Sequence, residues 1–281
     1  MTEQLTSGRA VRPRQASVRR LAVHATTQPS PGFVRITLAS TGDGFEDDFE
    51  YQGFDQWFRL FLPRADGRLV LPDGPAEGWY SRWLGMDESV RPEVRNYTIR
   101  DARSDGGRWL LDVDFVIHRS ASGTVDGTAA GWAVGATVGD EVGLLDQGRI
   151  FNVPAGEHPI TVIADESGLP GVEGIARALG DRAARYLIEV TDAADIRTLS
   201  PSVPDADVEW LVRPHRAPAG SLAIAAFDDA AIDASSYLYA VGEAKLALAA
   251  RRAGRAAGVD DRRIDFCAYW RADRDSSFRA S

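Results

Sequence analysis

Two side chains on one predicted strand, Arg95 and Tyr97, have the types and the spacing to bind a nucleotide-like ligand. Their segment, Val94–Arg100, reads V-R-N-Y-T-I-R, and strand alternation places both side chains on one face. A guanidinium binds phosphate through paired hydrogen bonds, and a nearby tyrosine covers a flat ring or bonds a polyol chain. The pair therefore suits a ligand that joins a pyrophosphate to a flat ring. The same residues also fit an ordinary strand with a solvated arginine and a half-buried tyrosine.

A second segment combines a histidine with a glycine-rich turn. Asp112–His118 reads as the end of a strand, and Gly123–Ala133 runs from glycine-rich chain into a helix of small residues. The first amides of such a helix are free to hold a phosphate. His118 stands where its ring can stack on a cofactor, although a packed or solvated loop histidine fits equally well. Trp132 is expected in the core.

A third segment, Ala164–Gly171, reads A-D-E-S-G-L-P-G between a predicted strand and a predicted helix. Strand-to-helix turns of this kind bind nucleotides in α/β folds. The glycine fingerprint G-x-G-x-x-G is missing. The acidic side chains would hold ribose hydroxyls or cap the helix, and Ser167 is expected as the helix cap.

A fourth segment surrounds Gly242, which follows a predicted strand and lets a ligand approach the strand end closely. Tyr269 and Trp270 would flank a flat cofactor ring or pack as ordinary strand residues. Arg252 and Arg255 lie on the intervening helix, where a solvated helix face is the simplest interpretation.

The elements that must position these residues differ between the two halves of the chain. The first half predicts short strands separated by turns, which favours an antiparallel β-barrel over residues 15–150. Its predicted strands are Ser17–His24, Phe33–Ala39, Gln56–Leu62, Val94–Arg100, Trp109–Val116 and Thr137–Leu144, with a short helix at Thr128–Val134. A long irregular stretch, Arg64–Arg91, carries three aromatic side chains.

The second half, residues 158–275, alternates strands with helices and predicts an α/β domain with a parallel sheet. Its predicted strands are His158–Ala164, Ala184–Val190, Val208–Arg213, Ser236–Val241 and Asp261–Tyr269, and its predicted helices are Leu169–Gly180, Ser221–Asp228 and Glu243–Ala257, with a short helical turn at Asp192–Arg197. Pro154–Gly156 reads as the linker between the halves.

Composition limits the classes of function. A chain of 281 residues is long enough for two domains, and its net charge of −9 argues against general nucleic-acid binding. No apolar stretch approaches the ~20 residues that a membrane span needs, so no stable membrane association is expected. The single cysteine and the four scattered histidines predict no metal cluster. A reducing cytoplasm is the expected compartment.

In this order and spacing, the four segments resemble the siderophore-interacting protein family, FAD-containing ferric-siderophore reductases within the ferredoxin–NADP reductase superfamily. The resemblance extends from about Val18 to Arg271. Its most specific parts are Val94–Arg100, Phe115–Ala133, Asp165–Pro170, Gly242–Glu243 and Tyr269–Arg271.

The resemblance implies roles for individual residues. The implied FAD-binding residues are Arg95, Asn96, Tyr97, Thr98, Asp114, Val116, His118, Gly127, Thr128, Ala129, Ala130 and Trp270. The implied contacts to NADPH or NADH are Asp165, Glu166, Ser167, Gly242 and Glu243. The implied contacts to the ferric siderophore are Arg59, at a family position usually filled by lysine, and Arg252 or Arg255. No catalytic side chain and no metal ligand is expected.

Three departures from the family pattern are visible. Gly127–Ala130 reads G-T-A-A where the family has Gly-Pro-Ala-Ser, which removes a hydroxyl from the expected phosphate turn. Gly131 replaces a frequent basic residue, and Ala164–Gly168 replaces Gly-Asp-Glu-Thr-Ala. These changes leave FAD binding expected and weaken the assignment of the siderophore pocket and of the preferred nicotinamide.

The implied reaction is a relay in which NADH or NADPH reduces FAD, and FAD reduces Fe(III) in the chelate, so that Fe(II) is released. Two alternatives stay open. One is a flavin reductase of another acceptor, such as a quinone, a haem protein or free flavin. The other is a non-catalytic module that binds siderophore or stores flavin.

Overall fold

The structure is a computed structural model, and it describes residues 10–120, 122–156, 158–228 and 232–272. The chain divides into two compact units, here called the barrel unit, residues 12–149, and the α/β unit, the described residues from 150 to 272. The last three residues of the predicted range 158–275 lie outside the described residues. None of the described helices is long and apolar enough to span a membrane.

The barrel unit contains seven strands and three short helices. In chain order these are β1 (Arg19–Ser30), β2 (Phe33–Ser40), α1 (Phe45–Asp48), β3 (Trp57–Leu62), α2 (Trp79–Leu84), β4 (Glu93–Thr98), β5 (Asp101–Asp105), β6 (Arg108–Val116), α3 (Thr128–Gly135) and β7 (Glu141–Gly148). The strands form one antiparallel sheet in the order β4-β3-β7-β1-β2-β6-β5.

The sheet closes on itself because its two edge strands are consecutive in the chain. Only Ile99 and Arg100 separate β4 from β5, so the Cα atoms of Thr98 and Asp101 are three residue steps apart, at most about 11 Å. The Arg100 amide donates to the Asp112 carbonyl at 2.9 Å, which ties this corner to β6. The two edges therefore meet at these ends, and the sheet is a barrel, as the sequence predicted.

Side-chain alternation along β3 separates two clusters of the barrel unit. Phe58, Leu60 and Leu62 are fully or almost fully buried in the main core, to which Leu21, Ile36 and Leu144 from other strands also contribute. Phe61 faces the other way and packs with Trp79 of α2 and with Leu145. Trp57 and Arg59 share this second face because side chains two residues apart on a strand point the same way.

The α/β unit contains five parallel strands in the order β10-β9-β8-β11-β12. Its elements are β8 (Ile160–Ala164), α4 (Leu169–Leu179), β9 (Ala184–Val190), β10 (Val208–Val212), α5 (Ser221–Asp228), β11 (Tyr237–Glu243), α6 (Ala244–Ala256) and β12 (Ile264–Trp270), with 3₁₀ helices at Ala193–Asp195, Asp205–Asp207 and Asp261–Arg263. All residues of β8 and β11 are buried, as expected for the centre of a parallel sheet covered by helices. The parallel sheet confirms the predicted α/β fold.

Several predicted boundaries were wrong for local reasons. The strand predicted at 137–144 begins at Glu141, because the Asp140 carboxylate accepts from the Thr137 amide at 2.8 Å and holds a turn there. The final strand begins at Ile264, since Asp260 caps a 3₁₀ helix over the three residues before it. The sequence also missed β5, and it missed α2 inside the stretch predicted to be irregular.

Candidate functional site

The Arg95–Thr98 segment lies on β4, where alternation divides it between two faces. Arg95 is exposed; its guanidinium donates to the Val94 carbonyl at 2.9 Å and pairs with the Glu93 carboxylate. Tyr97, on the same face, packs on Phe115 with ring centroids 4.2 Å apart. Burial raises the pKa of Tyr97, so its phenol is neutral at physiological pH. A phosphate ligand of Arg95 would compete with Glu93.

Asn96 and Thr98 lie on the opposite face of β4. Thr98 is buried and pairs in register with Trp57, and Asn96 pairs in register with Arg59. The Asn96 amide oxygen accepts from Arg59 Nη1 at 3.1 Å. Thr98 is thus a diagonal neighbour of Arg59, at a distance of about 7–8 Å between Cα atoms for such pairs. The fold brings together two predicted cofactor residues, Asn96 and Thr98, and one predicted substrate residue, Arg59.

The residues predicted at the end of β6 differ in accessibility. The Asp114 carboxylate is fully buried and binds Arg35 through two hydrogen bonds, of 2.6 Å and 2.9 Å. The Asp114 side chain is therefore engaged inside the barrel unit. Val116 is half-buried, and His118 is exposed. Because Arg35 lies on the neighbouring strand β2, the sequence spacing carried no signal of this pair.

The turn before α3 has the features of a phosphate cradle. Gly127 adopts φ 92°, is exposed, and no side chain caps the helix that follows it. Ala129 and Ala130 are buried against the barrel core, which fixes the position of the helix. The first-turn amides of a helix have no acceptor within the helix, and the helix dipole favours an anion at this end. The backbone at Gly127–Ala130 therefore fits the pyrophosphate of a dinucleotide even without the missing serine hydroxyl.

Arg59 is a half-buried cation without an acidic partner in the part of the chain that the structure describes. Its guanidinium lies over the rings of Trp57 and Trp79, 5.4 Å and 4.8 Å from their centroids. Its Nε and the indole nitrogen of Trp57 are buried without a hydrogen-bond partner. Burial, and secondarily the charge of Arg12, lower the pKa of Arg59 to about 10, so it remains charged at neutral pH. A partly desolvated, uncompensated cation favours an anionic ligand.

In the α/β unit, Asp165 connects the third and the fourth predicted segments. Its Oδ1 accepts from the Ser167 amide at 2.9 Å and the Ser167 hydroxyl at 2.5 Å. Its Oδ2 accepts from the Glu243 amide at 2.6 Å and the Trp270 indole at 3.0 Å. The carboxylate is fully buried. Asp165 therefore holds the turn after β8, the turn after β11 and the end of β12 together.

Two glycines allow this close packing. A Cβ on Gly242 would stand 2.5 Å from the Asp165 carboxylate, and Gly242 adopts φ 128°. A Cβ on Gly168 would stand 2.6 Å from Val241 Cγ2. Gly168 occupies the cap position of α4 without a side-chain hydrogen bond. The prediction that Ser167 caps this helix was wrong, because its hydroxyl is bound to Asp165.

The second predicted acid, Glu166, belongs to a buried ion cluster. Arg213 pairs with Glu166 at 2.9 Å and with Glu189 at 2.5 Å. Glu189 in turn accepts from the Gly220, Leu222 and Ala223 amides at the start of α5. Burial raises the pKa of Glu166, and it raises the pKa of Asp165, to which the charge of Glu166 also contributes. Both acids are engaged inside the unit, which leaves backbone groups and Ser167 at the surface of this edge.

The strand order explains why these turns meet. β8 and β11 are neighbours in the sheet. β9 and β10 follow β8 on one side, and β12 follows β11 on the other. Ligands of open α/β sheets bind at the carboxyl ends of the strands where the order reverses. Asp165–Gly168 and Gly242–Glu243 follow those two strands. The predicted nucleotide-binding residues therefore lie together where the strand order reverses, between the carboxyl ends of β8 and β11, here called the switch point.

Arg252 and Arg255 do not belong to this group. They lie near the end of α6, which begins beside Gly242–Glu243 and runs back along the sheet for about 20 Å. Arg252 is exposed, and Arg255 forms an exposed ion pair with Asp261 at 3.3 Å. The fold therefore separates both arginines from the switch point.

Comparison with known protein families matches both units. Residues 22–150 match the family described as the siderophore-interacting FAD-binding domain, and residues 158–273 match the family described as siderophore-interacting protein. No curated protein matches the chain.

Solved structures show the same architecture. A siderophore-interacting protein from Aeromonas hydrophila, SipS, is 26% identical, with a TM-score of 0.67 over 91% of this chain and 98% of that one. A siderophore utilization protein from T. fusca is 25% identical, with a TM-score of 0.73 over 96% and 97%. The cytochrome P450 reductase GcoB from Amycolatopsis is 17% identical, with a TM-score of 0.61 over 93% and 72%, which shows the fold alone.

Proposed function

This chain belongs to the siderophore-interacting protein family and binds FAD, and on that premise we propose that it is an NAD(P)H-dependent ferric-siderophore reductase. The observation that supports this most directly is Arg59. It is a half-buried cation without an acidic partner among the described residues, on the same strand face as Thr98. A ferric chelate with negative charge would supply the missing counter-ion.

Bound FAD supplies the chemistry that no side chain here provides, because it accepts a hydride and releases electrons one at a time. The barrel unit would hold it at both ends. The α3 amides after Gly127 would bind the pyrophosphate, and Arg95 would exchange Glu93 for a phosphate oxygen. Tyr97 and Thr98 would contact the flavin, and the neutral phenol of Tyr97 could donate a hydrogen bond to it.

The α/β unit would bind the nicotinamide nucleotide at the carboxyl ends of β8 and β11. Asp165 acts there as a positioning residue, since its carboxylate fixes the Ser167 loop and the Glu243 turn. The start of α4 contributes little here, because Pro170 has no amide hydrogen and the Leu169 amide donates to the Glu166 carbonyl at 3.3 Å. Trp270 is held by Asp165 through its indole nitrogen, which orients a flat ring surface at this edge.

Arg59 would bind the ferric chelate and hold it near the electron donor. Reduction to Fe(II) weakens the complex with hard oxygen donors, so the iron is released. Arg12 adds a second positive charge to the field at Arg59. Arg252 and Arg255 stay predictions, and their place far along α6 favours Arg59 over them. We further propose that the reaction takes place in the cytoplasm.

The test is an anaerobic absorbance spectrum of the FAD-loaded protein with each nucleotide, followed by a ferric chelate and an Fe(II)-trapping dye. We expect NADH or NADPH to bleach the flavin, and the chelate to restore the colour while Fe(II) accumulates. Failure of both nucleotides to bleach the flavin would contradict reductase activity and leave a binding module. Bleaching without Fe(II) release from either hydroxamate or catecholate chelates would indicate another acceptor.

A further inference from the structure

The carboxyl end of β9 carries an acidic side chain where the adenosine ribose of a dinucleotide would lie. β9 follows the β8–α4 segment and is the next strand outward from the switch point. In doubly wound folds, an acid at the end of this second strand binds the ribose diol of NAD, whereas an arginine there binds the 2′-phosphate of NADP. β9 ends at Val190, and Asp192 is exposed two residues later.

Asp192 is held in place at this strand end. Its Oδ1 accepts from the Ala194 amide at 2.8 Å and caps the 3₁₀ helix Ala193–Asp195. No arginine or lysine pairs with it among the residues that the structure describes. The side chain therefore presents an uncompensated negative charge, with acceptor capacity to spare for two neighbouring ribose hydroxyls.

Two arginines of this unit, Arg213 and Arg197, are engaged in other ion pairs. Arg213, at the end of β10, is buried and pairs with both Glu166 and Glu189. Withdrawing Arg213 to bind a phosphate would leave two buried carboxylates without their cation. Arg197 binds Glu173 of α4 through Nε at 3.0 Å and Nη2 at 3.4 Å. The exposed Arg216 follows β10, one strand further from β8.

We propose that Asp192 selects NADH over NADPH by binding the adenosine ribose diol and repelling a 2′-phosphate. The inference rests on the proposed function, since it names the reductant of the same reaction. The ribose loses its diol when it carries a 2′-phosphate, and the phosphate dianion would face the negative charge of Asp192.

The first experiment measures binding without any reaction. Calorimetric titration of the FAD-loaded protein with 5′-AMP and with 2′,5′-ADP isolates the adenosine half of the two nucleotides. We expect 5′-AMP to bind roughly 10-fold more tightly or better, the equivalent of one hydrogen bond and a repulsive charge. Equal affinity, or tighter binding of 2′,5′-ADP, would overturn the inference.

The second experiment compares kcat/KM for flavin reduction by NADH and by NADPH in stopped flow. Asp192→Asn should lower the preference for NADH by roughly 10-fold, through a higher KM for NADH and a lower KM for NADPH. Asp192→Arg should reverse the preference. Asp260→Asn is the matched control, because Asp260 caps a 3₁₀ helix through a 2.8 Å bond to the Arg262 amide.

Asp260 precedes β12 and so lies at the amino edge of the sheet, where its replacement should leave the preference unchanged. An unchanged preference in Asp192→Asn would overturn the assignment of Asp192. If neither nucleotide reduces the flavin, the proposed reductase function fails together with this inference. If NADPH reduces it as well as NADH does, only the inference fails.

Discussion

At the scale of single residues, alternation divides the Arg95–Thr98 motif. Arg95 and Tyr97 share one face of β4, while Asn96 and Thr98 share the other with Arg59. The division predicts two tasks for the motif. One face presents the Arg95 charge and the neutral phenol of Tyr97 to the proposed cofactor, and the other joins Asn96 and Thr98 to the candidate substrate cation Arg59.

Arg59 gives the first prediction at this scale. Arg59→Gln should lower kcat/KM for an anionic ferric catecholate roughly 10-fold or more, because the charge-assisted contact is lost. Reduction of neutral benzoquinone should change little, since it needs no counter-ion. Arg59→Lys should recover part of the loss. Arg14→Gln is the control, since the Arg14 side chain is 89% exposed. Equal losses for both acceptors would contradict the role.

Gly242 gives the second prediction. Gly242→Ala places a methyl group 2.5 Å from the Asp165 carboxylate on a backbone with φ 128°. We expect a loss of about 2–5 kcal/mol in the free energy of unfolding, because overpacking and backbone strain add. Flavin reduction by nicotinamide should slow as the turn moves. Urea denaturation and stopped-flow absorbance measure the two effects.

Gly180→Ala is the control for Gly242→Ala, because it introduces backbone strain without steric overlap. Gly180 also has a positive φ, of 59°, yet a Cβ there would meet nothing within 4 Å. This variant carries backbone strain alone and should lose about 1–3 kcal/mol, because φ 59° with ψ −123° is a conformation that non-glycine residues rarely adopt. It should keep the rate of flavin reduction. A normal rate in Gly242→Ala would show that the turn does not position the nucleotide.

At the scale of elements, a bulge in β7 carries a buried acid. Trp57 pairs with Gly148 and Phe58 with Asp146, which leaves Gln147 as an extra residue. Asp146 stabilises the bulge by accepting from the Gly148 amide at 2.8 Å and from Gln56 Nε2 at 3.0 Å. Burial is the main cause that raises the pKa of Asp146 to about 6. The bulge brings the end of β7 and the start of β3 together beside Thr98.

This pKa predicts how stability depends on pH. The unfolded chain releases the Asp146 proton near its ordinary pKa of 3.8, whereas the folded barrel keeps it until pH about 6. Folding therefore takes up a proton between these values, and stability falls as pH rises through the window, by about 3 kcal/mol. Asp146→Asn should lose this part of the pH dependence.

The measurement is urea denaturation at saturating FAD between pH 4.5 and 7, with the difference between wild type and variant followed across the range. Asp105→Asn removes an exposed carboxylate of the same unit and controls for a general change of charge. A difference between wild type and Asp146→Asn that stays constant with pH would refute the assignment.

At the scale of the whole molecule, two units supply two kinds of binding edge. The barrel unit offers backbone amides and an arginine beside a closed sheet, and the α/β unit offers the switch point between β8 and β11. Each unit has its own core, so each site rests on packing that is local to its unit. Binding of FAD should therefore stabilise the fold measurably.

The prediction is a rise in Tm with FAD. At a free FAD concentration of 100 times its Kd, the native state gains about 2.7 kcal/mol, which corresponds to roughly 5–10 °C. Scanning fluorimetry of the apoprotein with FAD, FMN and riboflavin measures the effect. FMN should stabilise less than FAD, because it lacks the second phosphate and the adenosine for the Gly127 turn. Equal shifts with FMN and FAD would contradict binding at α3.

The sequence by itself determined the fold class and the places of the site segments. Alternation in the first half and strand–helix alternation in the second follow from local hydrophobic patterns, which need no knowledge of distant partners. Gly127 and Gly242 were identified as turn glycines for the same reason. Short elements such as α2 and β5 lack a full period of pattern, so their existence was decided by packing.

Only the tertiary structure decided what the charged side chains do. Asp165 and Trp270 are 105 residues apart, Asp114 and Arg35 are 79 apart, and Arg213 and Glu166 are 47 apart. Sequence spacing carries no information on such pairs, because the chain between them sets the geometry. In the structure, the side chains of Asp165 and Glu166 form hydrogen bonds and an ion pair inside the α/β unit. Among the described residues, Arg59 and Asp192 have no partner of opposite charge. The partly desolvated cation of Arg59 favours an anionic ligand, and the carboxylate of Asp192 repels a phosphate.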